Sequence, residues 1–182
     1  MSQIKVNSII PVAGVPTGGG GGITQIKQTV KKDVFSTSLA EGVVSGDITG
    51  LSVTITPTSA TNKILLIPTV TLSAFAGFMY LYKDGSLISD AIGDASSVSG
   101  VARVTYGASL SIFNGSTGQQ GMYLDTAGGT SAITYSIRVS TNSTGTQNVF
   151  VNRASDDESS PVLASTKFAR YISTFTVMEV SA

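Results

Sequence analysis

Three stretches carry residue types that could do chemistry. They are the five consecutive glycines Gly18, Gly19, Gly20, Gly21 and Gly22 in VPTGGGGGIT, the consecutive acids Asp156, Asp157 and Glu158 in SDDESSP, and the scattered Asp84, Asp90, Asp94 and Asp125. A phosphate-cradling loop needs its last glycine followed by Lys and then Ser or Thr at a helix start. Here Gly22 is followed by Ile23 and Thr24. A dinucleotide fingerprint needs a buried strand before the glycines, and the preceding segment contains Pro11 and Pro16, which suit a strand badly. The glycines therefore read as a hinge, with a reach of about 12 Å for such a run.

The acidic run fares no better as a calcium loop, which spaces its carboxylates at alternate positions around a sharp turn. Consecutive acids read as a solvated loop tip. The four scattered aspartates sit beside glycine or small residues and read as turn formers. A carboxylate pair brought together from distant strands would suit glycoside hydrolysis. Against that, the chain has no tryptophan, and six tyrosines with seven phenylalanines are few for a sugar-stacking cleft. Tyr80, Tyr82, Tyr106, Tyr123, Tyr135 and Tyr171 read as core or subunit-interface residues with hydroxyls at the rim. Arg103, Arg138, Arg153 and Arg170 are too dispersed to mark an anion site. With neither cysteine nor histidine, the chain lacks a thiolate nucleophile and the commonest general base and metal ligand. The expectation is a chain that is not an enzyme, with no catalytic, cofactor or metal site.

The elements that would position any site are strand-like throughout. GLSVTITP sets Leu51, Val53 and Ile55 against Ser52, Thr54 and Thr56. AITYSIRVS sets Ile133, Tyr135, Ile137 and Val139 against Thr134, Ser136, Arg138 and Ser140, and RVTYGASLSIF puts Val104, Tyr106, Ala108, Leu110 and Ile112 in phase. A period of two is the mark of a half-buried strand. KILLIP, FMYLY, NVFVN and STFTVMEV alternate less and read as strands covered on both faces. Turn signals separate them: TPTSATN, KDG, NGSTGQQG and TAGGTS. The segment after the glycines, with Ile23, Ile26, Val30 and Val34, fits helix or strand spacing almost equally, and its Thr and Val content favours strand. The expected fold is an all-β, jelly-roll-like sandwich of about nine or ten antiparallel strands. An N-terminal arm (1–17), a glycine linker (18–22) and one sandwich domain (23–182) complete the organisation.

Lys and Arg balance Asp and Glu at 11 each, and charged residues make up 12% of the chain. That leaves no basic stripe for nucleic acid. The window ILLIPTVTLSAFAGFMYLY, from Ile64 to Tyr82, is long enough for a membrane helix, but Pro68 interrupts it and Val70 and Leu72 alternate with Thr69, Thr71 and Ser73. Two buried strands are expected there, not a membrane insertion. The arm IKVNSIIPVAGVP offers Ile4, Val6, Ile9, Ile10, Val12 and Val15 for anchoring in a groove or on another subunit.

The opening SQIKVNSIIPVAGVPTGGGGGI resembles the N-termini of virion structural proteins of tailed bacteriophages, especially those of marine and cyanobacterial hosts. ITGLSVTITPTSATNKILL, SAITYSIRVS, VFVNR and STFTVMEVSA look like blocks of the same group, in the same order. The resemblance implies a trimeric, non-enzymatic β-sandwich appendage, a short tail fibre or a capsid-decorating (head-fibre) subunit, joined to the particle by its N-terminus. The implied partners are other copies of the chain in a homotrimer and further virion proteins (capsid, portal or tail, or baseplate). A host surface glycan is a further candidate partner, and the implied location is the virion, assembled in the host cytoplasm. A carbohydrate-binding or carbohydrate-cleaving receptor module is the alternative expectation.

Overall fold

The computed structural model describes residues 22–74, 76–94, 106–108, 117–154 and 170–182. Twelve strands form within them: β1 (Ile23–Lys31), β2 (Phe35–Ala40), β3 (Ser52–Ile55), β4 (Lys63–Ser73), β5 (Gly77–Lys83), β6 (Ser86–Leu87), β7 (Tyr106–Ala108), β8 (Thr117–Gln120), β9 (Tyr123–Thr126), β10 (Ile133–Thr141), β11 (Thr146–Val151) and β12 (Ser173–Val180). One short 3-10 turn, Ser89–Ala91, follows β6. Twelve segments stand where nine or ten strands were expected, because β6 has two residues and β8 and β9 are two halves of one line along β4.

The pairings nest. β1 pairs with β12, β3 with β10, β4 with β8 and β9, and β5 with β7, all antiparallel. Cross-links β12–β4 and β10–β5 then divide this folded ladder into a seven-stranded and a five-stranded sheet. A four-rung antiparallel ladder wrapped into two sheets is the jelly-roll sandwich. β11 and β2 extend the larger sheet beside the far end of β4, and β6 extends the smaller.

Hydrophobic alternation places the core. Ile64, Leu66, Val70 and Leu72 of β4 and Phe175 and Val177 of β12 meet Leu81, Met79, Tyr135, Ile137, Val139, Val53 and Ile55 across the sandwich, and none of these is more than 5% exposed. Fully burying a side chain of this size stabilises by about 1.5–3 kcal/mol. The uncharged window from Ile64 to Tyr82 is thus two strands, β4 and β5, and no helix among the described residues is long and apolar enough to cross a membrane.

Two irregularities have sequence causes. Pro68 lies inside β4, and its carbonyl accepts a bond from the Gly121 backbone N–H at 3.3 Å. The missing proline N–H therefore faces the line of β8 and β9, at the point where that line breaks between Gln120 and Tyr123. At the β4–β5 corner, a Cβ on Gly77 would stand 2.9 Å from Ala74 Cβ and Leu72 Cδ2, so only glycine fits. The KDG signal is a two-residue hairpin turn, with Asp84 and Gly85 both at positive φ.

Candidate assembly face

β1 is built against the usual rule. Its register with β12 shifts between Ile23 and Gln25, so one extra residue is accommodated there. Such a bulge reverses the phase of alternation. Ile23 on one side of it, and Ile26 and Val30 on the other, consequently share the outer face of the sheet. Gln25, Thr29 and Lys31 point inward instead, opposite Glu179, Phe175 and Ser173. Ile23, Ile26 and Val30 are 56%, 55% and 45% exposed.

Directly paired antiparallel residues point to the same side, so register defines rows across the larger sheet. One row runs Ile26–Met178–Leu65–Leu124 through β1, β12, β4 and β9. The row before it is Ile23–Val180–Lys63–Thr126, and those after it are Gln28–Thr176–Ile67 and Val30–Thr174–Thr69–Gln120. Lys63 is the one charge in these four rows, and its Nζ donates to Thr126 Oγ1 at 2.8 Å. Gln28 Nε2 donates to Thr176 Oγ1 at 2.7 Å, closing that polar pair. Among the described residues eight large hydrophobics are exposed, and six of them (Ile23, Ile26, Val30, Met122, Leu124, Ile172) lie along this face or its margin. That concentration separates a patch from ordinary scatter.

Two buried polar nodes pin β1 at its ends. Near its start, Glu179 is fully buried and its carboxylate accepts four bonds. Gln25 Nε2 donates at 2.6 Å, Asn62 Nδ2 at 2.6 Å, the Thr58 backbone N–H at 2.7 Å and Thr58 Oγ1 at 2.8 Å. Burial alone would raise this carboxyl's pKa, but the donors from Gln25, Asn62 and Thr58 outweigh it and hold it at about 2. At the other end, Asn152 is fully buried at φ 66. Its Nδ2 donates to the carbonyls of Lys31 at 2.9 Å and Asp33 at 3.0 Å, and its Oδ1 accepts from Ser173 Oγ at 2.6 Å. The buried Lys31 ammonium meets Asp33 at 2.7 Å, a bond that lowers the Asp33 pKa.

A third node ties the sheets together. Asp125 of β9 faces inward, where its Oδ2 accepts from Lys83 Nζ at 2.8 Å and Tyr135 Oη at 2.7 Å. Asp125 is therefore a mid-strand sheet bridge, and the turn-former expectation is corrected there; Asp84 is in a turn as expected. Burial first, and then the Asp125 carboxylate, push the Tyr135 phenol well above its ordinary pKa. The neutral phenol ties β10 to β9 through its bond to Asp125.

The outer face of the smaller sheet is polar and closed on itself. The Arg138 guanidinium lies 3.9 Å over the Tyr82 ring while its Nε donates to Asp47 Oδ1 at 2.6 Å. Ser136 Oγ donates to the same oxygen at 2.9 Å, and Tyr80 and Ser140 share a hydroxyl bond at 3.0 Å. Arg153 and Arg170, dispersed in sequence, meet as an isolated antiparallel bridge, with the Arg153 guanidinium 4.3 Å over Phe150.

The anchoring residues Ile4, Val6, Ile9, Ile10, Val12 and Val15, the hinge glycines Gly18–Gly21, the acids Asp156–Glu158 and Arg103 lie outside the described residues. Gly22 is described: its carbonyl accepts from the Ser181 N–H at 3.0 Å, which continues the β1–β12 ladder by one bond. Of the phased run from Val104 to Ile112, the segment Tyr106–Ala108 is strand, and the rest lies outside the described residues. No groups of three or more His, Cys, Asp or Glu that could hold a metal ion occur among the described residues. The face itself was missed by sequence reasoning, because its four strands come from positions as far apart as 26 and 178. No protein-family model matches the chain, and no curated protein matches it.

Proposed function

We propose that the chain is a non-enzymatic structural subunit of a tailed-phage virion, a homotrimeric appendage of the short tail fibre or head-decorating kind, docked on the particle by residues 1–17. The observation that carries the assembly role is the apolar row Ile26–Met178–Leu65–Leu124, exposed at both ends and half-buried between them, on an almost uncharged sheet face. Edge-strand polar residues normally face water and apolar ones the core; on β1 Ile23, Ile26 and Val30 face out while Gln25, Thr29 and Lys31 face in, an arrangement that favours a covering surface. In a closed threefold ring the interfaces are heterologous, so this face of each copy would pack against a different patch of its neighbour, and the same pair of patches would repeat around the ring. The phage assignment rests on the blocks that resemble virion proteins, from SQIKVNSIIPVAGVP to STFTVMEVSA.

The glycan-binding alternative draws less support. The ring face of Tyr82, which a sugar would stack on, is occupied by Arg138, and the polar groups beside it are paired with one another. Imaging of particles containing the chain tests the reading. The expected result is a threefold appendage whose subunits meet through this face, absent when residues 1–17 are deleted. Normal incorporation of the truncated chain would end the anchoring role.

A further inference from the structure

The apolar row on this face has no cover among the described residues, and the chain enters the face at Ile23 from an apolar N-terminal segment. We propose that in the free subunit residues 4–15 of the same chain lie across the outer face of the larger sheet, over the row Ile26–Met178–Leu65–Leu124. This goes beyond the virion reading and does not depend on it.

Four observations converge on that occupant. The chain enters the described fold at Gly22, which is bonded to Ser181, and Ile23 belongs to the first row of the face. The twenty-one residues before it are therefore tethered at the corner of the patch. Reach is ample. The patch is about 14 Å across four strands and about 20 Å along four rows, and an extended segment of the arm's length covers about 40 Å. Five glycines let the chain reverse direction at the corner, because glycine adopts positive φ without cost from a Cβ.

Chemistry matches as well. In an extended chain alternate residues share a side, and Ile4, Val6, Ile10 and Val12 fall on one side of the arm. Lys5 is the one charge before Lys27, so a nearly uncharged arm meets a nearly uncharged face. Pro11 and Pro16 argue against the rival geometry, in which the arm adds to the β1 edge as a further strand. A ladder needs backbone N–H donors that proline lacks, whereas a segment lying flat on side chains does not. A tether this short also gives the chain's own arm a high effective concentration over a neighbour's.

Because the chain has no cysteine, Asn7→Cys in the full-length protein accepts a single nitroxide label on the side of the arm away from the sheet. Methyl NMR of the labelled chain should show broadening at Ile26, Leu65, Met122, Leu124 and Met178, with Leu87 on the smaller sheet unaffected. Adding Ile10→Asp and Val12→Asp, which leaves the body untouched, should abolish that broadening and raise binding of a hydrophobic dye several-fold. A mixture of spin-labelled, isotopically silent chain with unlabelled, methyl-enriched chain should show none. Broadening in the mixture would give the face to a neighbour's arm and overturn the proposal, as would a dilute full-length chain whose face methyls ignore the label. Either result leaves the virion reading standing, since that reading is decided by incorporation into particles.

Discussion

The two outer faces of this sandwich were made from the same few residue types and resolved in opposite ways. On the smaller sheet the large polar groups of the outer face pair with one another among the described residues: Arg138 with Asp47 and Tyr82, and Tyr80 with Ser140. That face is finished. On the larger sheet Gln25, Thr29 and Lys31 of β1 turn inward, and the outer surface mixes isoleucine, leucine, methionine and valine, at up to 70% exposure, with threonine, glutamine and the single charge of Lys63. Low charge alone does not distinguish the two. What differs is whether each outward side chain meets a partner among the described residues.

The comparison can be broken most severely by charging the unfinished face. Ile26→Lys with Leu124→Lys places two cations at opposite ends of one row, at positions already more than half exposed. Stability should move by no more than about 0.5 kcal/mol, while incorporation into particles should fall at least tenfold, read by quantifying the chain in purified virions. Unchanged incorporation would mean that this face is not buried in the assembly.

Next in size are the pins that hold β1 in place. Asn152→Ala strands the buried Lys31 carbonyl and the part-buried Asp33 carbonyl and keeps a left-handed backbone, and should cost about 2–4 kcal/mol in chemical denaturation. Asn152→Gly removes the same bonds but relieves the φ 66 strain, so it should be less damaging by about 1 kcal/mol. Equal losses would show that the backbone there is not strained.

A smaller, pH-dependent effect belongs to Glu179. Its folded pKa, about 2, lies below the ordinary 4.5, so the unfolded chain binds the proton more readily. Stability from this group is therefore complete above about pH 5 and is lost as pH falls through 4.5 towards 2. Glu179→Gln should cost about 1–3 kcal/mol at neutral pH and flatten the acid limb of a stability–pH curve. An unaltered acid limb would assign the acid sensitivity to other carboxylates.

The smallest effect is expected on the finished face. A double-mutant cycle of Tyr82→Ala and Arg138→Ala should return a coupling of about 0.5–1 kcal/mol, with incorporation unchanged. If incorporation fell here as it does at Ile26 and Leu124, the contrast between the faces would be lost.

Much of the fold was legible because alternation is a local property. Leu51, Val53 and Ile55, and likewise Ile133, Tyr135, Ile137 and Val139, face the core as their spacing requires. Other features follow from pairing that is not local. The spacing in β1 fitted helix and strand almost equally, with Thr and Val content favouring the strand that forms, because a bulge at its start breaks the period of two. Asp125 looked like a turn former because nothing beside it in sequence announces Lys83 or Tyr135. Glu179 did leave a trace: it continues the inward phase of Phe175 and Val177, so a charge stood where the pattern demanded burial.

By itself the sequence determined the class of fold, since side-chain periodicity and turn residues act within a few positions and fix which segments are strands. It also excluded thiolate and imidazole chemistry, because the chain has neither cysteine nor histidine. Only the tertiary structure decided which apolar residues would be left outside. Residues 26, 65, 124 and 178 become one row through the register of four strands, and register is set by the whole ladder of hydrogen bonds and by the bulge that shifts β1 against β12.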